Sequence, residues 1–406
     1  MIFDAVIAGG GVVGLTTAAL LNDGGYSVCL LEPRLDRAPP QGEIALRTYA
    51  ITPAARRVLE AARAWAPLDH SRVGRFDAME VWDAGSSGRL DFTPPPNHRG
   101  AMGYIVEHQN LIAALASSLK IRPGVSIQAR ALSGFAAGAS LNVTLDDGTR
   151  LRARLLIGAD GAHSAVRAAA GIAQTKVFYR QSAILCNVTF ARAHGGIARQ
   201  RFLDSGPIAA LPLAAQRECS IVWSCNDERA VELMACEDDY FIGALREAFE
   251  DSLGAVTHLS ARDAFPLARA QAARMVDGHC VLLGDAAHLM HPLAGQGLNM
   301  GLMDVAALVE CLGPAGMPTW PSASALRRFE RWRKSETLAM TAVTDGLHHL
   351  FQRDEALVRQ ARGLGMSLTQ RLVPLKHWLI SRAMGTAGDV PRMVMPRATS
   401  TPSGSA

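Results

Sequence analysis

The sequence has no uninterrupted apolar run approaching the ~18 residues of a membrane-spanning helix, and 37 acidic against 41 basic side chains leave a formal charge of only +4. The first lack argues against a helical membrane span. The second sets aside nucleic acid as a partner, since that needs a basic face or stripe. Cysteine is sparse and scattered: Cys29, Cys186, Cys219, Cys225, Cys236, Cys280 and Cys311 form no Cys-x-x-Cys pair and no His/Cys cluster at metal spacing. Disulfides and structural zinc are therefore unsupported, and reduced buried thiols are expected. The N-terminus carries no charged n-region and runs straight into a strand pattern, so a cytoplasmic location is expected. No internal repeat is visible, and only the Ser-, Thr- and Pro-rich stretch from Met395 to Ala406 reads as disordered.

What is present fits a globular enzyme of two tightly associated domains: 406 residues, 49% hydrophobic and 19% charged. Residues 3–8 read as a short apolar strand, followed by glycines, an apolar helix pattern over 15–21 and a second strand over 27–31. Segments 183–188, 199–203 and 219–224 have the β-branched and aromatic mixture of a separate sheet. A strand over 281–283 then returns to a glycine-rich turn, and a helical period dominates from Leu298 onward. Nucleotide-binding pieces at both ends thus enclose a sheet.

Gly9-x-Gly11-x-x-Gly14 lies between a strand and a helix, with Val13 in the first helical turn. There the glycines allow a tight turn and close backbone approach, while the helix N-terminus faces a pyrophosphate. Glu32 ends the second strand about 20 residues on, where a carboxylate accepts from a ribose 2′-OH. One such unit would suit a nicotinamide dehydrogenase, so two further motifs decide. Gly158-Ala-Asp160-Gly161 follows a strand over 155–157. Gly284-Asp285 opens a third turn, continuing to Pro292 and Gly295-Gln296-Gly297-Leu298-Asn299. Asp285 suits a sugar-like polyol, and the amides of 297–299 suit the pyrimidine edge of a flavin.

In this order the three motifs resemble the class A flavoprotein monooxygenases, relatives of para-hydroxybenzoate hydroxylase, over residues 3 to 385. Within that class, the run from His288 to Gly301 is similar to the ubiquinone-biosynthesis hydroxylases. So are Leu46-Arg47-Thr-Tyr-Ala-Ile-Thr-Pro53-Ala, Met79-Glu-Val-Trp82-Asp83 and Ser220-Ile-Val-Trp223-Ser224, and in these segments the branch acting at ring position 5 of the polyprenyl phenol is nearest. The chain departs from the pattern at Met303, where many relatives carry Arg. It departs again at His108, a helix-start position near the flavin where soluble phenol hydroxylases often have Arg or Gln.

The resemblance implies an α/β fold: a Rossmann-type FAD-binding domain (1–75, 101–180, 270–345) interrupted by a mixed β-sheet substrate domain (76–100, 181–269). A helical C-terminal region (346–390) and a disordered tail (391–406) complete it. It further implies noncovalent FAD, NAD(P)H and O2 as co-substrates, and oxygen transfer from a flavin C4a-hydroperoxide to the ring of a polyprenyl phenol. A small soluble phenol is the alternative substrate, and a non-catalytic flavin protein of a quinone-biosynthesis complex the alternative role. Arg47 is the candidate contact to the flavin phosphate or ribityl chain and, by resemblance, a hinge of flavin movement. Pro292 with Gly295–Gly297 should floor the ring site, with Leu211, Pro212 and Trp223 as its roof; Trp223 also reads as plain core. His288 and His291 have His-x-x-His spacing without a third ligand, so packing beside the flavin is expected rather than metal binding.

One stretch stands apart in charge. Residues 356–388 hold Arg359, Arg362, Arg371, Lys376 and Arg382 but no acid, and Leu357, Ala361, Leu364, Leu368 and Leu372 fall on one helical stripe. The stripe either packs on the FAD domain or lies on an anionic membrane surface. Since the C4a-hydroperoxide chemistry that the resemblance implies needs neither iron nor copper, turnover should consume O2 and survive strong chelators. An EDTA-induced loss restored by a divalent metal is the contrary result.

Overall fold

The computed structural model describes residues 2–34, 38–93, 100–138, 140–290, 295–316, 320–353 and 355–395. His291 and Pro292 lie outside the described residues, as does the chain beyond 395. Five strands form a parallel array in the spatial order Cys280–Leu282, Arg150–Gly158, Ile2–Ala8, Val28–Leu31, Val125–Gln128. Ile2–Ala8 and Val28–Leu31 are short apolar runs whose centres are fully buried, as a sheet covered on both faces requires. Helix Val12–Asp23 is apolar nearly all round, and it is buried between that sheet and the helices His108–Leu119 and Gln296–Leu312.

Register then does the positioning. Ala8 is level with both Leu31 and Gly158, and Gly158 is level with Leu282. Gly9, Glu32, Asp160 and Asp285 therefore emerge side by side beyond the carboxyl ends of four adjacent strands, where an open α/β sheet binds its ligand.

The second sheet runs His288–Leu289, Asp263–Ala272, Gln174–Phe190, Glu218–Asn226, Gly206–Pro212, Ile197–Leu203, Ala78–Asp83, Arg89–Phe92. Along Glu218–Asn226 the side chains alternate. Cys219, Ile221, Trp223 and Cys225 enter a core with Phe190, Phe241 and Leu245 under the helices Asp227–Ala235 and Asp238–Ala248. Ser220, Val222 and Ser224 fall on the other face, and the Ser220 hydroxyl meets Thr48 Oγ1 of the FAD-domain side at 3.3 Å. The two sheets also share the chain at 287–289: Ala287 accepts from the Ala272 amide at 2.8 Å, and His288 pairs with Gln271.

All seven cysteines are free thiols. Burial pushes Cys29 and Cys225 up to about 11, and Cys186, Cys219 and Cys280 up to about 12.

Two expectations at the C-terminal end are corrected. Helix Ala323–Gln352 begins well before 346, so the helical region grows out of the FAD domain without a boundary. Residues 391–395, assigned to a disordered tail, form the turn Arg392–Val394, with Val394 fully buried and accepting from Arg57, and the Arg392 amide donating to Glu310 at 2.7 Å. Proline and serine content gave no sign of these anchors.

Helix Ala356–Arg371 docks through Arg362, Gly363 and Met366 onto the turn at 84–88. A Cβ on Gly88 would sit 2.8 Å from the Met366 sulfur, so the turn must be bare there. Arg362 Nε donates to Asp83 at 3.1 Å, both side chains 2% exposed, and its Nη1 donates to the Leu350, Phe351 and Arg353 carbonyls. Removing one partner of a buried pair costs about 3–5 kcal/mol. Arg362→Met should therefore lower unfolding free energy in urea by about that amount, while the exposed Arg371→Gln should change it by less than about 0.5 kcal/mol.

Candidate active site

The motif glycines are bare for different reasons. Gly9 has φ +103°, and a Cβ there would lie 2.3 Å from the Ala159 carbonyl oxygen, so the first and second motifs touch backbone to backbone. At Gly14 a Cβ would meet the Gly9 oxygen at 1.9 Å. Gly11 and Gly297 are the reverse: among the described residues a Cβ on either meets nothing within 4 Å. Both border open space at the starts of helices Val12–Asp23 and Gln296–Leu312, whose N-caps, Gly11 and Gly295, supply no capping side chain and whose first turns hold no acid. Uncapped N–H groups facing a void suit an anionic or carbonyl-bearing ligand. Val13 packs against Gly284 and Gly301, joining the first helix to the third motif.

The carboxylates divide the work. Glu32 accepts from the Gly10 amide at 2.7 Å and the Arg34 amide at 3.1 Å, so it fixes the fingerprint turn as well as standing at the ribose position. Asp160 Oδ2 accepts from the Val166 amide at 3.1 Å, while its Oδ1 is buried with no partner among the described residues. An acceptor left so costs about 1–3 kcal/mol and fits a ligand hydroxyl or amine. Next to it, Arg167 ties the second motif to the third by donating to the Ala162 and Ala286 carbonyls, each at 2.9 Å. Asp285 is solvent-accessible yet surrounded by protein, as on the floor of a cleft. Desolvation raises its carboxyl, against the charges of His288 and Arg47.

Beneath this floor lies Asp304, which sequence reading missed. It is 0% exposed and takes three donors: the Gly284 amide at 3.0 Å, His288 Nε2 at 2.6 Å and Arg333 Nε at 2.8 Å. Although burial alone would raise it, His288 and Arg333 hold its carboxyl below the ordinary value. Its sequence signal was an acid in the apolar middle of the helix Gln296–Leu312, flanked by Met303 and Val305. Arg333 had none.

Arg47 Nε donates to Tyr49 Oη at 3.2 Å, and that hydroxyl meets His108 Nδ1 at 3.3 Å. Burial, with the Arg47 charge, lowers His108 to about 4, so it is a neutral acceptor for the tyrosine near neutral pH. The row holds the exposed Arg47 guanidinium beside the Asp285 cleft. Asn299 spends its whole side chain on backbone: it donates to the Ala50 and Gly295 carbonyls at 2.8 and 3.0 Å and accepts from the Thr52 amide at 3.0 Å. It thereby sets the start of its helix, leaving the amides of Gln296, Gly297 and Leu298 for a ligand.

The expected roof is only partly assembled. Leu211 lies opposite Ser220 on the cofactor-side face. Trp223 does not reach the cleft: it projects to the far side, 2% exposed and 5.9 Å from Phe241. Pro212 is buried at a strand end, its carbonyl against Gly74. Alternation had marked two faces without saying which one a helical layer would cover.

Gly11→Val should put a side chain into the space beside the first helix, and Asp285→Ala should remove the polyol acceptor. Each variant should purify with less than about a tenth of the wild-type flavin but with an unchanged far-UV spectrum. Full occupancy in Gly11→Val is the result that removes the N-terminal assignment.

Comparison with known proteins agrees with this geometry. The FAD binding domain family matches residues 3–333. Ubiquinone hydroxylase UbiL of Rhodospirillum rubrum is 38% identical over 94% of this chain and 90% of its own. The mitochondrial ubiquinone biosynthesis monooxygenase COQ6 of Homo sapiens is 33% identical, covering 94% and 92%. Among solved structures, PqsL of Pseudomonas aeruginosa, a probable FAD-dependent monooxygenase, superposes with a TM-score of 0.75 at 23% identity, covering 91% of this chain and all of that one. The p-nitrophenol 4-monooxygenase PnpA of Pseudomonas putida does so at 0.74 and 19%, covering 94% and 98%; these two speak for the fold. With its cofactor cleft at the strand ends and relatives aligned along nearly its whole length, the chain belongs to the FAD-dependent aromatic monooxygenases of the ubiquinone-biosynthesis hydroxylase family.

Proposed function

We propose that this FAD-dependent monooxygenase hydroxylates the aromatic ring of a polyprenyl phenol, with ring position 5 favoured. The observation that carries this reading is the near full-length similarity to ubiquinone hydroxylases in a chain whose second sheet meets the FAD domain at Ser220 and Thr48. Bound FAD, reduced by NAD(P)H, supplies the activation of O2. The protein's own residues do the rest. The turns at Gly9–Gly14 and Gly295–Leu298 would hold the cofactor's ends, Asp285 and Asp160 would accept from its hydroxyls, and the Arg47–Tyr49–His108 row would supply a cation beside it. The second sheet, bonded to the FAD domain at Ser220 and Thr48, closes the ring site from water. Cells lacking the protein should accumulate the unhydroxylated polyprenyl phenol, identified by mass spectrometry; accumulation of an intermediate already oxygenated at position 5 would move the reaction to another carbon.

A tailed substrate must be collected from a lipid phase. Among the described residues no helix is long and apolar enough to cross a membrane. The stripe of 356–372 faces solvent instead of packing inward: Leu357 is 80% exposed, Leu364 72% and Leu368 58%. In helix Val373–Ala383, Trp378 is 52% exposed and carries Arg382 over its ring. Arg362 has left the cationic set, since it is buried on Asp83. Exposed leucines and a tryptophan among Arg359, Arg371, Lys376 and Arg382, without an acid from 356 to 388, suit peripheral binding to an anionic bilayer at about 1 kcal/mol per basic side chain. The protein should co-sediment with phosphatidylserine-containing vesicles at low salt and be released as salt rises. Changing Arg359, Arg371 and Lys376 to Gln should weaken binding at least about tenfold. No binding at low salt, or binding that ignores the three changes, would leave delivery to a protein of the biosynthetic complex.

A further inference from the structure

We propose that Asn187 recognises the substrate by accepting a hydrogen bond from the phenol hydroxyl at Oδ1; this rests on the hydroxylase reading above. Asn187 lies on Gln174–Phe190, directly across the ladder from Ser220. Ile184, Cys186, Val188 and Phe190 of that strand fill the far-side core, so Asn187 falls on the cofactor-side face with Ser220. Its amide orientation is set by a bond: Nδ2 donates to the Ile44 carbonyl at 2.6 Å. The other end, Oδ1, is buried and has no partner among the described residues.

The place of this acceptor makes it informative. Ile44 and Thr48, which receive Asn187 and Ser220, flank the segment that leads into Arg47, Tyr49 and Ala50, and Ala50 is bonded to Asn299 at the second glycine-rich helix start. The unpaired oxygen therefore sits at the seam where the cofactor cradle meets the sheet. Among the described residues only one other side-chain oxygen is buried and unpaired, that of Asp160 on the cofactor floor; the remaining unpaired side-chain atoms are nitrogens. A carbonyl oxygen whose amide nitrogen is already committed can only accept. A phenol is protonated in water near neutral pH, and its O–H is the matching donor. An acceptor-only contact also predicts a specificity, since an analogue without that proton leaves Oδ1 unpaired.

The probes are a short-chain polyprenyl phenol and its O-methyl ether, with binding read as the perturbation of the bound flavin's absorbance in the holoenzyme. Wild type should prefer the phenol by about tenfold or more, the equivalent of one unpaired buried acceptor. Asn187→Ala should bind both probes alike. Asn187→Leu, closer in size, serves as the second variant, and flavin occupancy reports that each variant is folded. Ser220→Ala cuts the neighbouring seam bond but keeps Oδ1, so it should retain the preference. A preference that survives in the Asn187 variants overturns the assignment. So does its loss in Ser220→Ala, which would trace the effect to the seam. Wild type that binds both probes equally overturns it while leaving the hydroxylase reading intact; wild type that binds neither removes that reading and this inference together.

Discussion

A carboxylate with no water around it survives only if donors replace its hydration, and Asp304 meets that demand with partners from three separate parts of the chain. The Gly284 amide belongs to the third glycine turn, His288 to the short strand that joins the second sheet, and Arg333 to the long C-terminal helix. Because the carboxylate is fully buried, none of the three can move away without leaving a charge unsatisfied, at a cost of about 3–5 kcal/mol. The cofactor floor, the second sheet and the C-terminal helix are thereby held in one fixed relation. Asp285, one residue from Gly284, has its backbone held on the cleft floor by this anchor.

The same logic of spending polar groups to fix position recurs around the cleft. Glu32 and Asn299 use their side chains on backbone amides and carbonyls, and so set the turns whose remaining N–H groups face the open space. Asp160 uses one oxygen internally and, among the described residues, leaves the other without a partner. The site is built largely from main-chain donors and divided carboxylates, which agrees with a reaction whose difficult step belongs to the cofactor and whose protein supplies orientation and dryness.

What was legible in the sequence is what depends on local spacing. A glycine must stand where a strand end turns into a helix, so three motifs at three strand ends could be placed, and the level register of Ala8, Leu31, Gly158 and Leu282 brought them together as expected. What was not legible depends on which surface another element covers. Trp223 alternates correctly, yet only the helices Asp227–Ala235 and Asp238–Ala248 decide that its face is core. Arg362 looked like one more cation of a basic helix until Asp83, far away in sequence, claimed it. Asp304 and Arg333 are 29 residues apart with no pattern between them, and their pairing is a property of two packed helices.

The sulfur chemistry of the chain has a consequence for its working life. An enzyme that brings a reduced flavin and dioxygen together leaks partially reduced oxygen, and the first protein target such oxidants meet is the enzyme itself. Attack requires a thiolate that solvent can reach. Cys186, Cys219 and Cys280 are buried and held protonated far above neutral pH, two of them in the sheet that covers the ring site. Small apolar sulfur side chains fill the far-side core while remaining chemically silent, so the sheet that covers the ring site keeps these thiols on the face turned away from the source of oxidant.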